Sequence, residues 1–194
     1  MTECKNKKLL VITVEEILLL AVWGGAKDRA DYNYGRGLSS ARIFLRPCLR
    51  EFLDFCFSNY RVGLWSEYSS ELVLDALKRV YGDDWSTDKL EFILTSDDLV
   101  PVSDCRYDVE GMFSLRSRCK SLDVIISKGY PEEDIIIIDH DPKRWEPHGE
   151  IPRECWVFAG RIHQMFGNIK IDGEHFDRAD RSLMEVWEEL SSVQ

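Results

Sequence analysis

No pair of cysteines in this 194-residue sequence stands at metal-binding spacing. The six cysteines, Cys4, Cys48, Cys56, Cys105, Cys119 and Cys155, are scattered without a C-x-x-C. That argues against a zinc site, and a chain this long needs no disulfide framework, so reduced thiols in an intracellular compartment, cytoplasm or nucleus, are expected. No G-x-G-x-x-G or Walker-type loop accompanies any apolar run, which leaves dinucleotide and P-loop sites without support. The longest apolar stretch, residues 14–22, is interrupted by Glu15 and Glu16. No membrane-spanning segment is therefore expected. Lys5, Asn6, Lys7 and Lys8 lead into an apolar run without a small-residue cleavage pattern, so no signal peptide is expected either. Basic residues are the minority, 25 against 35 acidic ones, for a formal charge of −10. Wrapping of nucleic acid needs clustered Lys and Arg to neutralise phosphates and is excluded as a leading function. A cationic peptide is the partner this balance would suit, although acidity also serves solubility alone.

The composition that remains, 44% hydrophobic and 31% charged, is that of an ordinary globular protein with one substantial core. A single domain over residues 1–194 is expected. The densest signal is D-I-I-I-I-D-H-D-P at residues 134–142. Four β-branched residues in a row are too few for a useful helix and suit a strand buried on both faces, as in the middle of a parallel sheet. The run stops at Asp139, His140 and Asp141, before a proline that cannot continue a ladder. Ligands of open α/β sheets bind at the carboxyl ends of strands, so this polar cluster is a candidate site; its alternative is a solvated loop of turn formers.

Residues 8–14, K-L-L-V-I-T-V, read as a first strand of the same kind, ending at Thr13 with Glu15 and Glu16 behind it. Residues 23–41 carry four glycines and several charges and are expected to form a long exposed excursion, with a loop or a hairpin. From Pro47, a residue suited to a first helical turn, Leu49, Phe52, Leu53, Cys56 and Phe57 recur at helical spacing. R-V-G-L-W at 61–65 predicts a second strand closed by Ser66. Val73, Leu77, Val80 and Tyr81 predict a second helix, and residues 90–94 a third strand. Residues 115–128 are expected to be helical with Leu122, Ile125 and Ile126 inward, which would place Lys120 near a helix start. A short strand over 155–159 and a closing helix over 176–190, burying Phe176, Ala179, Leu183, Val186 and Leu190, complete the chain. The order of elements, with right-handed crossovers, predicts a doubly wound, mostly parallel, Rossmann-like α/β sheet. His148, His163 and His175 stand at wide spacing in loop-like sequence and read as surface residues.

This layout resembles the haloacid dehalogenase superfamily, in its branch of C-terminal-domain phosphatases. R-P-C-L-R-E-F-L-D-F-C-F at 46–57 is similar to that branch's R-P-x-x-x-x-F-L helix. V-G-L-W-S at 62–66 is similar to its second motif, and I-I-I-D-H-D-P at 136–142 to its last. Active members carry D-x-D-x-T at the end of the first strand. The first aspartate attacks phosphorus and binds magnesium, and the second exchanges a proton with the leaving group. A Ser or Thr holds the phosphoryl group, a lysine offsets its charge, and the last motif completes the metal shell. Carried over, these positions fall on Thr13, on Glu15 with Ile17 after it, on Ser66, on Lys120 (with Arg116, Arg118 and Lys128 competing), and on Asp139, His140 and Asp141.

At its first position the pattern fails. Thr13 has a hydroxyl and no carboxylate, Glu15 is one methylene too long, and His140 offers an imidazole where magnesium, a hard cation, takes oxygen. The resemblance therefore implies a phosphatase-like scaffold without aspartyl-phosphate chemistry. Such a scaffold would be a binding module for a protein or peptide, with no cofactor, or with Mg2+ if activity persists. Two alternatives stay open. One is a weak or altered metal-dependent protein phosphatase using Glu15 and Asp139. The other is a relative of the presequence-receptor branch of the mitochondrial import translocase, which is similar in V-I-T-V-E-E at 11–16 and I-I-D-H-D-P at 137–142, and which would place the chain in mitochondria.

Overall fold

The computed structural model describes residues 7–23, 29–36, 40–101, 118–139, 145, 156–158 and 178–192. In chain order its elements are β1 (Leu9–Thr13), β2 (Leu19–Trp23), β3 (Tyr32–Tyr34), β4 (Ala41–Leu45), α1 (Leu49–Asn59), β5 (Arg61–Trp65) and α2 (Ser70–Tyr81). There follow β6 (Leu90–Leu94), β7 (Val100–Pro101), β8 (Arg118–Cys119), α3 (Leu122–Ile126), β9 (Ile135–Asp139), β10 (Trp156–Phe158) and α4 (Ser182–Ser192).

Five strands form the central sheet in the order β10-β9-β1-β5-β6, and all four pairings are parallel. The chain leaves β1 in one direction through β5 and β6, and returns to its other side through β9 and β10. That reversal beside β1 is the switch point of a doubly wound sheet, the place at which ligands of open α/β sheets bind. β1 and β9 are buried at every residue, as their unbroken apolar character requires of strands covered on both faces.

Strand periodicity sorts the side chains into two cores. Leu10, Ile12, Ile136 and Ile138 face the larger one, which holds the apolar stripes of α1, α2 and α4. Leu9, Val11, Ile135 and Ile137 face the smaller one with Trp65, Leu94, Trp145 and residues of α3. The same alternation carries Thr13 and Asp139 onto the α3 side. The register Val11↔Ile137 then brings them abreast at the top of the sheet.

Residues 23–41 are not a plain loop or a lone hairpin. β2, β4 and β3 form a second, antiparallel sheet in that order, beginning at Leu19 and ending at Leu45. The apolar run at 14–22 is therefore a turn followed by a strand, because Leu19, Ala21 and Val22 on β2 and Ala41, Ile43 and Phe44 on β4 all pack into the larger core.

Helix α3 covers five residues where a helix over 115–128 is expected; residues 115–117 lie outside the described residues. Arg118 and Cys119 pair with Pro101 and Val100, and Lys120 bridges to Trp145, so the backbone before Ser121 is extended. Ile126 is exposed, while Leu122 and Ile125 are buried, because one turn and a half of helix covers the sheet with a single edge. Helix α1 begins two residues after Pro47, behind Cys48 in a left-handed conformation. The closing helix starts at Ser182; Ala179 lies exposed ahead of it, and Phe176 falls outside the described residues.

Candidate functional site

Two small clusters of polar side chains crown β1, one on each side of the strand end. In the first, the Thr13 hydroxyl donates to Asp139 Oδ2 at 2.7 Å. The Lys120 ammonium donates to Thr13 Oγ1 at 2.7 Å and to Asp139 Oδ2 at 2.8 Å. Trp145 Nε1 donates to the same Oδ2 at 2.9 Å. Hydroxyl, ammonium and carboxylate close a triangle, and all three side chains are fully buried. An ion pair so deep is tolerated because its charges are matched and further donors satisfy the carboxylate. The Trp145 ring completes the enclosure. It meets Trp65 edge-on with centroids 5.2 Å apart and lies 5.8 Å from the Lys120 ammonium.

The second cluster is built on the turn that follows β1. Leu18 and Leu19 both donate backbone N–H groups to the Val14 carbonyl, and Glu16 adopts φ 63. Glu15, at the top of this turn, points its Oε1 at three donors: Ser66 Oγ at 2.6 Å, Glu67 N at 2.6 Å and Tyr68 N at 3.1 Å. Its Oε2 is buried and has no hydrogen-bond partner among the described residues. Ser66 is thus not the cap of the next helix. Ser69 takes that role by accepting from Leu72 N, which frees Ser66 to accept from Tyr68 N at 2.9 Å and to hold Glu15. The Tyr68 ring lies 5.6 Å from Trp23, the most exposed large apolar side chain among the described residues. Burial pushes the Tyr68 phenol far up, and the charges of Glu15, Glu16 and Glu67 around it add to the effect.

The structure therefore brings Thr13, Lys120 and Asp139 into direct contact, and Glu15 with Ser66 beside them. Arg118 and Lys128, which compete with Lys120 in the sequence, are exposed. His140, Asp141 and Arg116 lie outside the described residues. Ile17 is wholly buried in the larger core and presents nothing to the site. Trp145 was not anticipated as a site residue. The sequence around it has no hydrophobic periodicity, and a tryptophan with one donor gives no pattern to read.

Magnesium prefers six oxygens in near-octahedral order. Asp139 is one carboxylate, and its Oδ2 already receives three donors, one of them cationic. Among the described residues, no group of three or more His, Cys, Asp or Glu could hold a metal ion. The described donor set does not fit that ion.

Comparison with known proteins gives a consistent picture. A family model described as NLI interacting factor-like phosphatase matches residues 8–160. A CTD phosphatase-like protein of Invertebrate iridescent virus 3 is 29% identical over 89 residues, covering 39% of this chain and 45% of the viral protein. Less than half of that relative's length is therefore matched. Among solved structures, the fission yeast RNA polymerase II CTD phosphatase Fcp1 bound to beryllium fluoride is similar with a TM-score of 0.52 at 13% identity. The match covers 96% of this chain and 50% of Fcp1. A second structure of Fcp1, an essential RNA polymerase II CTD phosphatase, has a TM-score of 0.56 at 12% identity, covering 96% and 62%. At these identities the likeness concerns the fold.

Proposed function

The chain belongs to the NLI interacting factor-like phosphatase family, and from that premise we propose that it is a catalytically inert member that binds a protein or peptide. The observation that carries this reading is Thr13. At the strand end where the family pattern places an attacking carboxylate, this chain presents an alcohol whose hydrogen lies on Asp139 and whose lone pair is taken by Lys120. To attack phosphorus the hydroxyl would have to lose its proton. The ester it formed would lack the lability that lets an acyl phosphate turn over. The Lys120 charge, which would otherwise offset a phosphoryl group, is matched by Asp139. Glu15 has one oxygen committed to three donors, and no magnesium requirement is expected of such a site.

A cationic peptide segment is the partner class favoured by charge and by the rim. Trp23 stands half-exposed against Tyr68, whose phenol senses Glu15, Glu16 and Glu67. An aromatic face set in negative potential attracts ammonium and guanidinium groups. Presequence-like peptides, both cationic and amphipathic, are the natural probe. Their anisotropy should rise on titration at low salt, and Trp23→Ala should weaken the binding. Failure to bind would remove the cationic partner while leaving the inert-site reading intact.

Hydrolysis of an aryl phosphate with magnesium tests the site itself, and no turnover above buffer is expected. Magnesium-dependent turnover that Thr13→Val abolishes would overturn the proposal. One observation favours a second reading, a weak phosphatase with an altered metal: among the described residues Glu15 Oε2 has no hydrogen-bond partner and is an oxygen not yet engaged. Titration with manganese, cobalt and zinc separates the two, since no rate with any of them disposes of it.

A further inference from the structure

Arg46 belongs to neither polar cluster, yet its side chain is wholly buried. Its guanidinium forks between two acceptors. Nη1 donates to Asp180 Oδ2 at 2.5 Å, and Nη2 donates to the backbone carbonyl of Glu16 at 2.6 Å. The Arg46 backbone N–H holds the Leu18 carbonyl at 3.0 Å, so both ends of the residue grip the turn that carries Glu15. The other oxygen of Asp180 accepts from the backbone and the hydroxyl of Ser182, the first residue of α4, at 2.8 and 2.5 Å. Two residues earlier, Arg178 donates to Asp31 Oδ1 and to the Arg29 carbonyl. The entry to α4 is thus pinned to the second sheet by one arginine and to the Glu15 turn by another.

Glu16 is the member of this turn under strain. Its φ of 63 is one that a residue with a β-carbon holds only when its surroundings impose it. The guanidinium on its carbonyl is such an imposition. If the peptide after Glu16 rotated, the turn would reopen and the Glu15 carboxylate would swing away from Ser66, Glu67 and Tyr68.

We infer that Arg46 is a positioning residue: held by α4 through Asp180, it keeps Glu16 left-handed and so aims Glu15 at the Ser66–Tyr68 backbone, which couples the docking of α4 to the site. This coupling concerns geometry and stands whether or not the site is inert, so its failure and the failure of the functional reading are separately visible.

Amide NMR of the full chain tests it. The Glu67 and Tyr68 amides donate to a carboxylate and should resonate downfield and exchange slowly. Arg46→Lys keeps the charge but replaces the planar fork, whose two separate nitrogens each hold one acceptor, with a single nitrogen on a shorter stem. It should move both amides upfield and speed their exchange by roughly tenfold, while the amides of Ile12 and Leu64 in the central sheet stay protected. Glycine adopts the left-handed conformation freely, so Glu16→Gly added to Arg46→Lys should return both amides to their native positions. Unchanged Glu67 and Tyr68 amides in Arg46→Lys would overturn the inference. So would a shift that Glu16→Gly fails to reverse, which would mean that Arg46 only fills space. If Arg46→Lys loses protection throughout, Asp180→Asn decides: changes at residues 16, 67 and 68 uphold the coupling, and their absence overturns it.

Discussion

Asp139 and Glu15 are two buried carboxylates at the top of the same sheet, and they are satisfied in opposite ways. Asp139 is neutralised. An ammonium, a hydroxyl and an indole N–H converge on one oxygen, and the ammonium cancels its charge within 2.8 Å. Glu15 is held only by neutral donors, all on Oε1, and its Oε2 has none. The first arrangement locks a scaffold. The second leaves an acceptor unmet, which in a stable fold is tolerated where a site has use for it.

The largest expected effect comes from breaking the balanced side. Lys120→Met leaves the Asp139 charge buried without its counterion and should cost about 3–5 kcal/mol in urea denaturation. A loss below about 1 kcal/mol would mean that the pair is solvated and the locked half is not locked. Thr13→Val removes the hydroxyl from the triangle but leaves its ion pair, and should cost about 1–2 kcal/mol by the same measurement. Glu15→Gln sharpens the contrast, because an amide oxygen can replace Oε1 while no cation loses its partner. It should stay within about 1 kcal/mol of the parent. If it destabilises as much as Lys120→Met, the two carboxylates do not differ as described.

The smallest effect calibrates the scale from the opposite end of the sheet. Glu91 accepts from Arg61 at 3.0 Å and from Tyr130 at 2.7 Å. The Arg61 hydrogen bond holds its carboxyl below the ordinary range, against desolvation and with help from Tyr130. Because the folded value lies below the unfolded one, the contribution is present above the ordinary carboxylate range. It is lost as pH falls through the depressed value. Both side chains are partly solvated, so the loss should be only about 0.5 kcal/mol. It should appear as a steeper fall of the urea midpoint toward acid in the parent than in Glu91→Gln.

Much of this architecture was legible in the residues. Strands β1 and β9 announce themselves because the centre of a parallel sheet, buried on both faces, demands unbroken apolar, β-branched runs, while β5 and β6 show as shorter apolar runs broken by Gly63 and Glu91. The amphipathic stripes of α1, α2 and α4 follow from their helical period. What escaped was governed by tertiary contact. Residues 14–22 look like one apolar stretch, and only packing splits them into a turn and the strand β2. Residues 118–120 carry no strand signal, yet they are extended because Val100, Pro101 and Trp145 pair with them. The candidate positions Thr13, Glu15, Ser66, Lys120 and Asp139 could be named from motif order and strand ends. Which oxygen each donor would choose could not, since it depends on the angle of the 14–19 turn and on a buried arginine far along the chain.

The most direct test of the central claim is the intact mass of the protein after incubation with an aryl phosphate and magnesium, followed by peptide mapping of the β1 segment. The account expects an unmodified chain, with the Thr13 peptide at its native mass. A phosphoryl group on Thr13 would contradict it.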